Sequence, residues 1–120
     1  TPSLYLPEHF RAAADNVKQG SAGQHENSRY WKDQYLEHCQ RAIAVYESMI
    51  AGGVCPEQAR LILPQGCEVN WVWTGSLYAF AMAYNARSDS HAQKEVQDLF
   101  AQVDAIIRPL FPVAWAALTE

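Results

Sequence analysis

The sequence predicts an α+β fold that is mostly α: a helical domain with one or two strands. Apolar residues recur every three or four positions along Trp31–Ile50 and again along Val96–Leu110, which is the spacing of amphipathic helices. Between these runs, Val69, Trp71 and Trp73 alternate with Glu68, Asn70 and Val72, and a period of two that is rich in Trp and Val is typical of a strand. The whole of 1–120 is therefore predicted to be one domain.

The first helix predictions follow local signals in chain order. Pro7 near the start of Leu4–Asp15 predicts a short helix, and the Gly-containing Asn16–Asn27 predicts an exposed loop. Ser28 is expected to cap the long helix over most of Arg29–Ala51. Two glycines, Gly52 and Gly53, are expected to end it.

The middle of the chain contains a second set of signals. Pro56 predicts a short helix that runs to Leu63 and stops at Pro64. The strand at Val69–Trp73 cannot satisfy its own backbone groups, so we expect it to pair with another part of the protein or another subunit. Thr74 or Ser76 is expected to cap the next helix.

The C-terminal third is predicted to be helical with two interruptions. The helix after Ser76 is expected to stop at Ser88–Ser90. Ser90 and Gln93 fit a capping box, which predicts a further helix over most of His91–Arg108. Pro109 is expected to end or kink that helix, and Pro112 to open a last turn.

Composition excludes several classes of function. The net charge of -4 disfavours a nucleic-acid polymer as partner, and the longest apolar runs are too short to span a membrane. The aromatic content, 4 Trp, 6 Tyr and 4 Phe, predicts surfaces for a homo-oligomer. The chain does not begin with Met and shows no signal peptide, so we expect a piece of a longer cytoplasmic protein.

Cysteine and histidine placement predicts no metal site. Cys39, Cys55 and Cys67 are widely spaced and are expected to be reduced, partly buried thiols. The four histidines are scattered, and no two stand four apart on one predicted helix.

Three stretches contain residues that suit a binding site, each with an alternative. Arg60 in Pro56–Pro64 could bind an anion, or pair with Glu57 on the protein surface. Trp73–Leu77 leads from the predicted strand into a helix. The free amides at the start of that helix could bind a phosphate, or Ser76 could be an ordinary N-cap residue. Asn85–Glu95 brings Arg87 and His91 near a helix start, which is also typical of a solvated helix boundary.

Taken in order, these stretches resemble the C-terminal half of flavin-dependent thymidylate synthases. Leu4–Glu8, Lys18–Ser21 and Leu110–Trp115 are similar to further segments of that family, so the resemblance covers nearly the whole chain. It implies reductive methylation of dUMP to dTMP with a methylene-tetrahydrofolate, FAD and NADPH. It also implies a homotetramer.

The resemblance implies roles for particular residues. Arg60 and Arg87 would bind dUMP, and Arg87 would be catalytic because it favours the ionised uracil ring. Ser76, Leu77 and Tyr78 would contact FAD. Tyr78 stands where many members carry an Arg, and Met82 where they carry a polar flavin contact.

The family's N-terminal Arg-His-Arg motif is absent from this sequence. We therefore expect the 120 residues to form an incomplete enzyme. The alternative is a non-catalytic helical remnant that binds nucleotide or only oligomerises.

Overall fold

The computed structural model describes residues 1–15 and 21–120 and is 58% helical, which confirms the mostly α class. Two short strands, β1 (Arg11–Ala13) and β2 (Ser21–Gln24), pair in a two-stranded antiparallel sheet. The helices are α1 (Ser28–Ala51), α2 (Pro56–Ala59), a 3-10 turn (Arg60–Ile62), α3 (Leu77–Arg87), α4 (Lys94–Leu110) and α5 (Pro112–Thr119). No helix among the described residues is long and apolar enough to cross a membrane.

The chain forms two compact units. The first contains residues 1–11 and 24–71, and the second contains residues 12–23 and 72–120. The prediction of one domain over 1–120 stays a prediction, as does the link to the C-terminal part of the thymidylate synthase fold. The predicted loop Asn16–Asn27 lies partly outside the described residues, and its part Ser21–Gln24 is strand β2.

The first unit is built around α1, as its apolar stripe predicts. Cys39 on α1 and Ala59 on α2 are buried, and α2 and the 3-10 turn pack against α1. Gly53 ends the helix region with φ +87, a conformation that favours glycine. Ser28 does not cap α1 as predicted, because its buried hydroxyl instead accepts a hydrogen bond from Phe10 N at 2.7 Å.

The predicted helix at Leu4–Asp15 is wrong. Leu4 forms an antiparallel bridge with Cys67, and Phe10 O accepts a hydrogen bond from His25 N at 2.8 Å. Helix formation needs these backbone groups for local i to i+4 bonds, so distant partners exclude it. Arg11–Ala13 then continues into strand β1.

The predicted strand Val69–Trp73 is also wrong, since residues 68–76 have no regular secondary structure. The strand pairing seen beside this region is the Leu4–Cys67 bridge, which is flanked by one hydrogen bond on each side. A strand is defined by its partner, and the described residues supply one only as far as Glu68.

Tyr35 fixes the packing of the first unit beside Gly66. The Tyr35 hydroxyl donates to Tyr5 O at 2.6 Å, and burial raises the pKa of this hydroxyl above its ordinary value. Burial likewise raises the pKa of the Cys39 thiol. A Cβ at Gly66 would overlap the Tyr35 hydroxyl, so only glycine fits here without rearrangement.

We expect Gly66→Ala to lower the free energy of unfolding by about 1–3 kcal/mol, the usual cost of overpacking. The physical reason is that Tyr35 must move and lose its bond to Tyr5. Urea denaturation measures the change. Gly23→Ala is the matched control, because a Cβ there meets nothing within 4 Å. Equal stability of the two variants would contradict the prediction.

The second unit packs α3 against α4 and α5. Its buried side chains are Ala81, Phe100 and Trp115. Asp104 joins α4 to α5, because its Oδ1 accepts from Arg108 Nη2 at 2.8 Å and from Trp115 Nε1 at 2.7 Å. These two donors, Arg108 first, hold the pKa of the Asp104 carboxyl below its ordinary value.

Two boundaries in this unit differ from the predictions. Helix α4 begins at Lys94 with Gln93 as its N-cap residue, not at the predicted Ser90 capping box. Asp89 prevents the earlier start, because its backbone O accepts from Ala92 N and its side chain accepts from His91 N. Pro109 lies inside the last turn of α4, and the prediction that the helix ends near it is confirmed.

Candidate functional site

Arg60 is positioned by the short helix that Pro56 starts. Ala59 is completely buried, which fixes the backbone of its neighbour, while the Arg60 side chain is exposed. The residue directly follows α2 and opens the 3-10 turn Arg60–Ile62. The first unit thus holds the backbone of Arg60 and leaves the guanidinium in solvent.

The alternative of a surface pair with Glu57 is not what the structure shows. No ion pair or hydrogen bond joins Glu57 and Arg60, and the Arg60 side chain has no partner in residues 1–15 and 21–120. An unpaired guanidinium suits a carboxylate or phosphate, which it binds through two parallel hydrogen bonds. Arg60 is therefore available to an anionic ligand.

Ser76, Leu77 and Tyr78 lie together at the start of α3 in the second unit. Ser76 is the N-cap residue, and its Oγ accepts a hydrogen bond from Ala79 N at 3.0 Å. This settles the choice between Thr74 and Ser76 and shows that the cap is an ordinary one. The hydroxyl retains its proton for donation to a ligand, because capping uses only an oxygen lone pair.

The start of α3 offers further donors beside the Ser76 hydroxyl. The N–H groups of Leu77 and Tyr78 occupy the first two helical positions, which have no acceptor within the helix. The Tyr78 side chain is 62% exposed. Trp73 approaches this turn, with its ring 4.4 Å from that of Phe80 between centroids. Donors beside exposed aromatic surface suit an aromatic group that carries acceptors, as a flavin does.

Arg87 is the last residue of α3, at the opposite end from Ser76. The helix contains 11 residues, which at 1.5 Å per residue is about 16 Å. Asn85 anchors this end by donating from Nδ2 to Leu118 O at 2.9 Å. Arg87 is exposed, and its side chain has no partner in the described part of the chain. The cation also suits the negative end of the helix dipole.

His91 is occupied by Asp89, a partner that the sequence did not indicate. The Asp89 Oδ1 lies 2.5 Å from His91 Nδ1 and accepts from His91 N at 2.8 Å. These contacts, the backbone bond first, hold the pKa of the Asp89 carboxyl below its ordinary value. Both side chains are more than half exposed, which supports the interpretation of a solvated helix boundary.

The structure thus brings Ser76, Leu77 and Tyr78 together and places Arg87 on the same helix. Arg60 belongs to the first unit, where it is also exposed and has no partner among residues 1–15 and 21–120. The sequence contains a signal that Arg60 is exposed. Arg60 directly follows Ala59, a small residue that packs in the core, and neighbouring residues of a helix point in different directions.

The family described as Thymidylate synthase complementing protein matches residues 2–113. The chain belongs to this family. The predicted resemblance is confirmed, and it extends over nearly all of the sequence.

Curated relatives of this chain are named flavin-dependent thymidylate synthase. That of Thermosipho melanesiensis is 31% identical over 113 residues, which are 91% of this chain and 48% of the relative. That of Thermus thermophilus is 29% identical over 121 residues, covering 98% and 43%. That of Dictyostelium discoideum is 31% identical over 86 residues, covering 72% and 28%. No solved structure matches significantly.

The chain therefore spans about half, or less, of the length of these curated relatives. A flavin cofactor is part of the relatives' name, as is the synthesis of thymidylate.

Proposed function

We propose that this chain contributes part of the site for the reductive methylation of dUMP to dTMP. The observation that carries the proposal is that Arg60 and Arg87, the two arginines that match the family pattern, are exposed and have no partner in the described residues. Arg108 differs from these two arginines, because it pairs with Asp104 inside the second unit.

Each arginine has a distinct part in the proposal. Arg60 holds dUMP by a charge-assisted contact, which is stronger than a neutral hydrogen bond. Arg87 binds the uracil ring and stabilises the negative charge that develops on it, because a fixed guanidinium lowers the energy of an anionic transition state. The bound ring is then polarised for reaction at carbon.

The start of α3 is the proposed contact with FAD, which together with NADPH supplies the hydride. Ser76 donates its hydroxyl proton, and the first amides of α3 are free donors. Tyr78 and Met82 offer exposed aromatic and apolar surface instead of the polar contacts of many members. Ser76, Tyr78 and Met82 therefore fit FAD, but with fewer hydrogen bonds than family members that carry polar residues at positions 78 and 82.

We propose further that the 120 residues do not form dTMP by themselves. They span about half, or less, of the relatives' length, and alignment of flavin, folate and nucleotide to within about 1 Å needs all the binding contacts. The test is a product assay with dUMP, methylene-tetrahydrofolate, FAD and NADPH. We expect no turnover by the chain alone and turnover when the remaining half is supplied. Turnover by the chain alone contradicts this proposal.

Nucleotide binding is tested separately from turnover. We expect Arg60→Ala to weaken dUMP binding about tenfold, since one charge-assisted contact is worth ~1.4 kcal/mol or more. Titration calorimetry measures the affinity. Arg41→Ala is the matched control, because Arg41 is an exposed arginine paired with Glu37 within α1. Equal affinities of both variants and the parent would remove Arg60 from the site.

The second candidate function is a non-catalytic remnant that binds nucleotide or only oligomerises. Exposed apolar side chains favour a remnant that oligomerises, since Leu61 is 83% exposed, Val113 83% and Ile106 66%. A homotetramer is the expected assembly under either function. Light scattering at micromolar concentration distinguishes it from a monomer, and absence of dUMP and FAD binding would favour a remnant that only oligomerises.

A further inference from the structure

A polar cavity of about 380 Å³ opens in the first unit beside α1, and it is called here the α1 cavity. Its charged lining consists of two cations, Arg29 and Lys32, and two carboxylates, Glu8 and Asp33. A volume of this size is within the range of small-molecule sites. None of the residues assigned to the nucleotide or the flavin lines it, so an inference about this cavity goes beyond the proposed function.

Hydrogen bonds between residues far apart in sequence hold the walls of the α1 cavity. Lys32 Nζ donates to Glu8 O at 3.1 Å, and Phe10 N donates to the buried Ser28 hydroxyl at 2.7 Å. Both bonds join α1 to the segment that contains Glu8 and Phe10. The fold therefore shapes the cavity before a ligand binds, which lowers the cost of binding.

Arg29 and Asp33 line the cavity as an open pair of opposite charges. They stand four residues apart on α1, a spacing at which oppositely charged side chains can meet. Lys94 and Asp98 have the same spacing and the same order of charge on α4, and they pair at 2.6 Å. The side chains of Arg29, Asp33 and Glu8 form no ion pair or hydrogen bond in residues 1–15 and 21–120. Arg29 therefore retains donors for an anion, and the two carboxylates retain acceptors for a cation.

The balance of charges in the α1 cavity selects the class of ligand. The carboxylates of Glu8 and Asp33 would repel a phosphate, and Arg29 and Lys32 would repel a metal cation. A small molecule that carries both a carboxylate and an ammonium group satisfies both signs at once, through charge-assisted hydrogen bonds. An α-amino acid has these two groups on one carbon atom.

His9 and Gln24 complete the lining and indicate the side chain of the ligand. A carboxamide offers both donors and acceptors, and a neutral imidazole offers one of each. Neither side chain has a hydrogen-bond partner in the part of the chain that the structure describes. These two groups suit an uncharged polar side chain better than an apolar one.

We propose that the α1 cavity binds a free α-amino acid with an uncharged polar side chain. Arg29 binds its carboxylate, and Asp33 binds its ammonium group. His9 and Gln24 bind its side chain. The site belongs to the first unit alone and does not require the remaining half of the enzyme.

The test is titration calorimetry of the 120-residue chain with L-glutamine, for which we expect a Kd below about 1 mM. Two matched compounds each lack one charge: N-acetyl-L-glutamine has no ammonium group, and L-glutaminamide has no carboxylate. We expect each to bind at least about tenfold more weakly, because each loses one charge-assisted contact. Absence of L-glutamine binding, or equal binding of either compound, would overturn the proposal. Tighter binding of inorganic phosphate would overturn it as well, because it would indicate a simple anion site.

Two variants assign the charges of the ligand to the two residues. Asp33→Asn and Arg29→Gln are each expected to weaken L-glutamine binding at least about tenfold. A structural role alone would not change selectivity, so selectivity is the second readout. In Asp33→Asn, L-glutamine should lose its advantage over N-acetyl-L-glutamine, and in Arg29→Gln it should lose its advantage over L-glutaminamide.

Arg41→Gln is the matched control for these variants. Arg41 lies on the same helix and pairs with Glu37 at 3.3 Å outside the cavity, so its loss should leave the affinity for L-glutamine unchanged. Variants of Arg29 and Asp33 that bind L-glutamine as the parent does, or that keep the parent's selectivity, would remove these residues from the site and overturn the proposal.

Discussion

Replacing Trp115 with alanine will lower the free energy of unfolding by about 3–5 kcal/mol, the usual cost of emptying a large aromatic site in a core. Trp115 is completely buried, and its ring lies 5.6 Å from that of Tyr84 between centroids. Its indole N–H donates to Asp104 Oδ1 at 2.7 Å, so the substitution also removes one of the donors that hold this carboxylate. Chemical denaturation monitored by far-UV circular dichroism measures the change.

Trp115→Phe is the matched control for this prediction. It retains much of the aromatic surface but loses the indole N–H, so the expected cost is about 1.5–3 kcal/mol, the range for a hydrogen bond to a charged group. Arg108 continues to pair with Asp104 in this variant. A loss below about 1 kcal/mol in Trp115→Ala would show that the second unit does not depend on this residue.

Replacing Arg87 with alanine will lower kcat about 10²–10³-fold in the completed enzyme, the range for removal of one group that stabilises an anionic transition state. Arg87 is exposed at the end of α3 and has no partner within the described residues, so its loss should leave the stability of the chain nearly unchanged. The measurement is a single-turnover assay of dTMP formation, with the unfolding midpoint as a parallel readout.

Two controls accompany Arg87→Ala. Arg87→Lys keeps the positive charge but not the planar fork, so we expect it to recover only part of the rate. Arg41→Ala removes an exposed arginine from α1 and should leave kcat unchanged. An Arg87→Ala enzyme with normal turnover, or one whose rate loss follows a matching loss of stability, would remove Arg87 from the chemistry.

The proposed flavin and nucleotide contacts lie on the same helix but far apart. Ser76 and Arg87 lie at opposite ends of one 11-residue helix, about 16 Å apart along its axis. A single small group cannot contact both residues. Two groups can contact them separately, a nucleotide at Arg87 and an extended cofactor at Ser76. This is the arrangement that the proposed function requires.

The sequence by itself determined the helices whose signals are local. The stripe along α1 has the period of a helix, and Ser76 caps α3 through a hydrogen bond to a residue three positions away. The short helix before Arg60 likewise follows from Pro56 at its first turn. The family could also be predicted from the sequence, because ordered motifs are properties of the chain and need no coordinates.

Only the tertiary structure decided the features that depend on residues far apart in sequence. The chain around Leu4 and Phe10 is extended instead of helical, because its backbone groups bind near Cys67 and His25. The pattern at Val69 predicts a strand, but a strand forms only where a partner is present. Whether Arg60 pairs with Glu57 or remains free is likewise a matter of side-chain placement that spacing alone cannot decide. The physical reason is common to all three: each outcome depends on which partners the folded chain brings within reach, and the sequence specifies only the local preference directly.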